Sequence, residues 1–99
     1  MLKFFIDKDF RNDLKIHKNI YVFFYAPGCG PCFEVYPEVE EFGKTTNNLL
    51  YMVHEDDGKE LQKQLNVTAF PSMVLIEDKK IKRAGLGAKE VRNIIGNEK

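Results

Sequence analysis

The stretch Ile20-Tyr21-Val22-Phe23-Phe24-Tyr25-Ala26-Pro27-Gly28-Cys29-Gly30-Pro31-Cys32 decides how the rest of the chain is read. Its first six residues are β-branched or aromatic on both parities. A strand of that kind is buried on both faces, as at the centre of a parallel sheet. Ala26-Pro27-Gly28 ends it. The two cysteines follow, and a helical pattern opens at them. A helix N-terminus offers unpaired N–H groups and a partial positive charge, both of which stabilise a thiolate. Cys29, at the start of that helix, is expected to have a depressed pKa and to be the exposed nucleophile. Cys32, about one turn in, is expected to be more buried and to attack a mixed disulfide formed on Cys29. Pro31 suits the first helical turn, where its missing donor costs nothing.

Working outward, residues 2–6 form a short apolar run that reads as a strand. Asp7 or Asp9 is placed to cap a helix over about residues 8–18, with Phe10, Leu14 and His17 or Lys18 at helical spacing. Past the cysteines, residues 33–44 carry Val35, Val39 and Phe42 at i, i+4 and i+7, with Pro37 inside the helix. Residues 49–54 form a further apolar strand, and 58–66 a helix with Leu61 and Leu65. Residues 73–77 and 80–84 read as a hairpin about Asp78-Lys79. Residues 88–96 close the chain as an amphipathic helix carrying Val91, Ile94 and Ile95. The order is β-α-β-α-β-α-β-β-α. It predicts one α/β domain over residues 1–99: a mixed five-stranded sheet with helices on both faces, early strands parallel and a terminal antiparallel pair.

Composition narrows the function. The chain has 99 residues, 43% hydrophobic, with 15 Lys plus Arg against 15 Asp plus Glu. That balance argues against bulk-charge binding to nucleic acid or an anionic membrane. The longest apolar run, residues 20–27, is far shorter than the roughly 20 residues needed to span a bilayer. The N-terminal apolar stretch is broken by Asp7 and lacks a small-residue cleavage site, so it does not read as a signal peptide, and a cytoplasmic location is expected. Cys29 and Cys32 are the only cysteines. Bridging them closes too short a loop to hold the fold together, at about 2 kcal/mol. A zinc site needs about four ligands, and only His17 and His54 stand by as further imidazoles, far apart in sequence. An inert buried thiol pair is the remaining bland reading. Strand, CxxC and helix together favour redox exchange, with no metal.

Residues 24–32, Phe-Tyr-Ala-Pro-Gly-Cys-Gly-Pro-Cys, resemble the active-site segment of the thioredoxin family. Pro37 falls where that family has its helix-kinking proline. Ala69-Phe70-Pro71-Ser72 resembles its cis-proline segment, and Gly85 the glycine closing its substrate groove. The resemblance implies the thioredoxin fold, Cys29 as attacking and Cys32 as resolving cysteine, and Pro71 as a cis-proline packed against the disulfide. Gly28, Gly30, Phe70, Pro71, Ala84 and Gly85 would line a flat groove for a client strand, with Phe70 equally readable as core filling.

Three departures from the family stand out. Gly28 replaces the usual Trp before the first cysteine, which removes an apolar shelf and frees the loop. Phe23 stands where the family buries an aspartate, and Met52, give or take one residue, where it often has a facing lysine. The terminal hairpin, fourteen positions from Pro71 to Gly85, is slightly tight. Glu34 reads as a solvated helix residue rather than a substitute proton acceptor. His17, His54 and the acidic run Glu55-Asp56-Asp57 read as surface features.

The expected activity is a thiol–disulfide oxidoreductase that reduces protein disulfides through a Cys29–Cys32 cycle and binds no cofactor. By the resemblance, electrons come from NADPH through a thioredoxin reductase. Clients are disulfide-containing proteins such as ribonucleotide reductase, and the chain is a monomer. The alternatives are a glutathione-coupled, glutaredoxin-like reductant and a noncatalytic binding subunit on the same fold.

Overall fold

The computed structural model describes residues 1–98. The elements follow the expected order: β1 (Leu2–Phe4), α1 (Asp7–Ile16), β2 (Asn19–Tyr25), α2 (Gly30–Thr45), β3 (Leu49–His54), α3 (Lys59–Gln64), β4 (Ser72–Glu77), β5 (Lys80–Leu86) and α4 (Ala88–Glu98). The strands lie in the order β1-β3-β2-β4-β5. β3 runs parallel to both β1 and β2, while β4 is antiparallel to β2 and to β5.

β2 is central because both of its faces are apolar. Tyr21 and Phe23 pack with Val35, Val39 and Phe42 of α2 and with Val91, Ile94 and Ile95 of α4. Ile20, Val22 and Phe24 point the other way, into a cluster with Phe10 of α1 and Leu61 of α3. β3 divides likewise, with Leu50 and Met52 on the α2/α4 side and Leu49, Tyr51 and Val53 on the α1/α3 side. The alternation of strand side chains thus builds two cores from one sheet.

Two polar networks tie the helices down. On α1, the buried carboxylate of Asp13 accepts from Lys3 Nζ at 2.8 Å and from Tyr51 Oη at 2.6 Å. Burial by itself would raise the Asp13 pKa, but these hydrogen bonds outweigh it and hold the carboxyl below its ordinary value. At the end of α4, Glu98 accepts from Tyr21 Oη at 2.8 Å and from the side chains of Thr46 and Asn48.

Several expected boundaries move. β1 stops at Phe4, and α1 starts at Asp7 with Ile6 as its N-cap; neither Asp7 nor Asp9 caps it, and both lie in its first turn. There their charge still complements the helix dipole. α2 starts at Gly30, as the helix expected to open at the cysteines does, with the Cys29 side chain capping it and Pro31 in its first turn. α3 is shorter than expected, ending before Asn66, which turns left-handed at φ 58°. β5 is longer, reaching Leu86. Asp78 and Lys79 both have positive φ, as a two-residue hairpin turn requires, although neither residue is a glycine.

Candidate active site

The strand register gathers the site at one end of the sheet. Tyr25, the last residue of β2, pairs with His54 at the end of β3. Phe24 pairs with Ser72 at the start of β4, and Ser72 with Leu86 at the end of β5. The loop to Cys29 therefore leaves β2 beside the segment that carries Pro71. The Phe70–Pro71 peptide is cis, and the Pro71 carbonyl accepts from Gly87 N–H at 2.8 Å.

Cys29 and Cys32 form a disulfide with their Cα atoms 5.2 Å apart. Cys29 is partly exposed, whereas Cys32 is only 2% exposed. Cys29 Sγ accepts from Cys32 N–H at 3.2 Å, and the Cys29 carbonyl accepts from Phe33 N–H at 3.2 Å. The sulfur thus sits at the N-terminus of a 16-residue helix, where a backbone donor already points at it. On reduction, that donor and the helix dipole favour a thiolate at Cys29. Of the two sulfurs, the one with solvent access is the one that the helix end stabilises.

The end of β2, which leads into the loop to Cys29, is aromatic. Phe23 stacks on Tyr25 at 5.9 Å, Tyr25 meets Tyr36 edge-on at 5.2 Å, and His54 meets Tyr25 at 5.4 Å. Burial, followed by the neighbouring Tyr36 and Asp57, raises the Tyr25 phenol above its ordinary pKa. Phe23 and Met52 lie directly opposite in register and are fully buried. The position where the family keeps a carboxylate and a lysine is therefore dry on both strands.

Other sequence expectations meet a specific place. Glu34 is drawn across to α4, where Arg92 contacts it at 3.4 Å and Glu38 at 2.8 Å, so its carboxylate is engaged away from the cysteines. His54 is half-buried rather than a plain surface residue, its Nδ1 accepting from Asp56 N–H at 3.1 Å. His17 is likewise half-buried, 3.7 Å from Asp13. Phe70 is partly buried against the α1/α3 core. Gly28 and Gly30 are exposed, and Gly28 has φ +72°, so its loop is held in a conformation that disfavours a side chain rather than simply freed.

Gly85 and Ala84 precede Leu86, the residue that pairs with Ser72, by one and two positions. A bulge at Leu75/Ile76 offsets the hairpin by one residue, so Gly85 pairs with Met73 and Ala84 with Val74. Gly85 lies beneath α4, where an added Cβ would be 2.8 Å from Glu90 Cβ. The glycine beside Pro71 is Gly87, with φ +94° and open space around its Cα, and the strand residue beside it is Leu86, 53% exposed. Sequence reading passed over both, because counting the hairpin without the bulge sets Gly85 opposite Ser72. It also passed over Phe33, 64% exposed and four residues after Cys29, a spacing visible in the sequence.

The sequence pattern of the thioredoxin family matches residues 2–97. The chain belongs to the thioredoxin family. Thioredoxin-2 of Pyricularia oryzae is 35% identical over 72 residues, which are 72% of this chain and 42% of that one. Thioredoxin of Mycoplasma genitalium is 30% identical over 71 residues, 71% of this chain and 70% of that one. A bifunctional thioredoxin reductase/thioredoxin of Mycobacterium leprae is 30% identical over 89 residues, 88% of this chain and 18% of that one. The chain thus spans less than half the length of the Pyricularia and Mycobacterium relatives that it matches. Among solved structures, the reduced thioredoxin pre-protein of Schistosoma mansoni superposes with a TM-score of 0.83 at 26% identity, covering 97% of this chain and 96% of that one. Fold, order of elements and the place of the cysteine pair agree with the family.

Proposed function

We propose that this thioredoxin-family chain is a thiol–disulfide oxidoreductase that reduces protein disulfides. The observation that carries the reading is the asymmetry of the Cys29–Cys32 pair: one sulfur partly exposed and capping a helix, the other buried one turn in. In the reduced form, the Cys29 thiolate attacks a client disulfide. It forms a Cys29–client mixed disulfide and releases one client thiolate. Cys32 then loses its proton and attacks Cys29 Sγ, which closes the Cys29–Cys32 disulfide and releases the second client thiolate. Two electrons pass to the client, and the two client thiolates take up protons from solvent. With Phe23 and Met52 apolar, the Cys32 proton leaves to water or to a group other than a carboxylate at position 23, and resolution is the step expected to be slow.

Gly30 and Pro31 shape the first turn of α2, Pro71 marks the client groove, and Gly28 and Phe70 border it. The register supports Leu86 and Gly87 beside Pro71, next to Ala84 and Gly85 in the same groove. A thioredoxin reductase drawing on NADPH would recharge the disulfide, a pairing supported by the fusion of those two activities in the name of the Mycobacterium leprae relative. Ribonucleotide reductase is a candidate client by family analogy, and a cytoplasmic monomer is the proposed state.

The test uses two single variants. Cys29→Ser should abolish reduction of a protein disulfide, and Cys32→Ser should accumulate a mixed disulfide between Cys29 and the client. Turnover by Cys29→Ser, or a client captured on Cys32 instead, would overturn the assignment.

A further inference from the structure

A client sulfur that reaches Cys29 brings its own chain over whatever surrounds Cys29. Gly28 and Gly30, on either side, are exposed and offer that chain no side chain. The next residue on the same side of α2 is Phe33, whose N–H closes the first helical hydrogen bond to the Cys29 carbonyl at 3.2 Å. Residues four apart on a helix lie about 5–6 Å from each other at Cβ. Helical side chains also lean toward the N-terminus, which for Phe33 is the direction of Cys29.

Phe33 is nevertheless 64% exposed, whereas Phe10, Phe23, Phe24 and Phe42 are at most 3% exposed. Pro37, one turn further along the same face, is also exposed and uncharged. The acidic residues of this part of α2, Glu34 and Glu38, lie on the adjoining face and are held by Arg92 of α4. An apolar strip therefore runs down α2 from the reactive sulfur. Position 28 carries no side chain, and Phe33, four residues after Cys29, is the exposed aromatic residue of the first turns of α2.

We propose that Phe33 is a specificity-determining residue of the client site. It receives an apolar side chain next to the client's disulfide cysteine, so preferred clients carry Leu, Ile, Val or Phe there. The proposal rests on the thiol–disulfide reading above, which supplies the occupant: the chain that carries the attacked sulfur must pass within reach of this ring. Contact between two large apolar side chains removes area from water that a serine on the client would not bury.

The experiment measures second-order rates for the pre-reduced full chain with two peptides that differ at one position. Each peptide carries a cysteine in mixed disulfide with a chromogenic aryl thiol, flanked by Leu in one and by Ser in the other. The native chain should favour the Leu peptide about tenfold, equivalent to about 1.4 kcal/mol. Phe33→Ser should bring that ratio below about threefold, and Phe33→Leu should largely keep it. A ratio unchanged in Phe33→Ser would overturn the proposal, as would a native chain that reduces both peptides equally. A native chain that reduces neither peptide would instead overturn the functional reading beneath it. Sedimentation of the native chain and Phe33→Ser gives a separate check. If the native chain self-associates through Phe33 while the rate ratio is unaffected, a second copy is the occupant and the proposal fails.

Discussion

Tyr51 and Met52 are neighbours on β3, yet they enter very different interiors. On the α1/α3 side, the Tyr51 hydroxyl meets the buried Asp13 carboxylate, which Lys3 also contacts. On the α2/α4 side, Met52 faces Phe23, and neither residue brings a charge or a hydrogen-bonding group. The sheet therefore tolerates a buried carboxylate where a cation and a hydroxyl are there to satisfy it, and buries none at the position its family uses for proton transfer. Partners, not burial, separate the two sites: a buried charge is retained when paired and is costly when alone.

The largest test of that contrast is Phe23→Asp. Placing a carboxylate opposite Met52 should lower stability by about 3–5 kcal/mol in urea unfolding at neutral pH. Adding Met52→Lys should make the double variant more stable than the sum of the two single changes, by about 1 kcal/mol or more. Simple additivity would show that the two positions do not act as a pair. If the double variant folds, its Cys32 resolution step should be faster than that of the native chain; an equal rate would show that the missing carboxylate does not limit resolution.

Asp13→Ala comes next. It leaves the Tyr51 hydroxyl and the Lys3 ammonium without their carboxylate and should cost about 2–3 kcal/mol. The sign of the pH effect follows from the lowered folded-state pKa of Asp13. Its stabilisation is present in full above the ordinary carboxylate pKa, near 4, and is lost as pH falls through the lower folded value. The gap between native chain and Asp13→Ala should therefore narrow in acid below about pH 4. A gap that stays constant with pH would remove the charged network from the account.

Gly85→Ala probes how closely the apolar side is packed. The new Cβ would crowd Glu90 Cβ at 2.8 Å and Ile94 Cδ1 at 3.0 Å, and should cost about 1–2 kcal/mol, read as a lowered urea midpoint. Unchanged stability would mean that α4 lies more loosely on the sheet than the structure has it.

Much of this was legible in the sequence because the pattern was strong. Apolar residues on both parities of residues 20–25 identified a central strand, and Cys-Gly-Pro-Cys at its exit located the chemistry. The opposition of Phe23 and Met52, give or take one residue, was implied by the family resemblance, and the register pairs the two. The groove was less legible. A single bulged residue in β5 moves Gly85 under α4 and brings Leu86 and Gly87 to Pro71, and no local signal around Lys82 announces it. The engagement of Glu34 by Arg92, 58 positions away, depends on how α2 and α4 pack, which periodicity within either helix does not encode. The Asp13 network spans α1, β1 and β3 for the same reason.

The most direct test of the central claim is the reduction potential of the Cys29–Cys32 couple, equilibrated against a dithiol buffer of known potential. A protein-disulfide reductant of this family should sit near about −270 mV, against about −120 mV for a strong oxidant, a gap of roughly 7 kcal/mol. A value close to the reducing end is the result predicted here, reached without the buried carboxylate and without the shelf at position 28. A value above about −200 mV would contradict it and assign the pair to a glutathione-coupled or oxidising role.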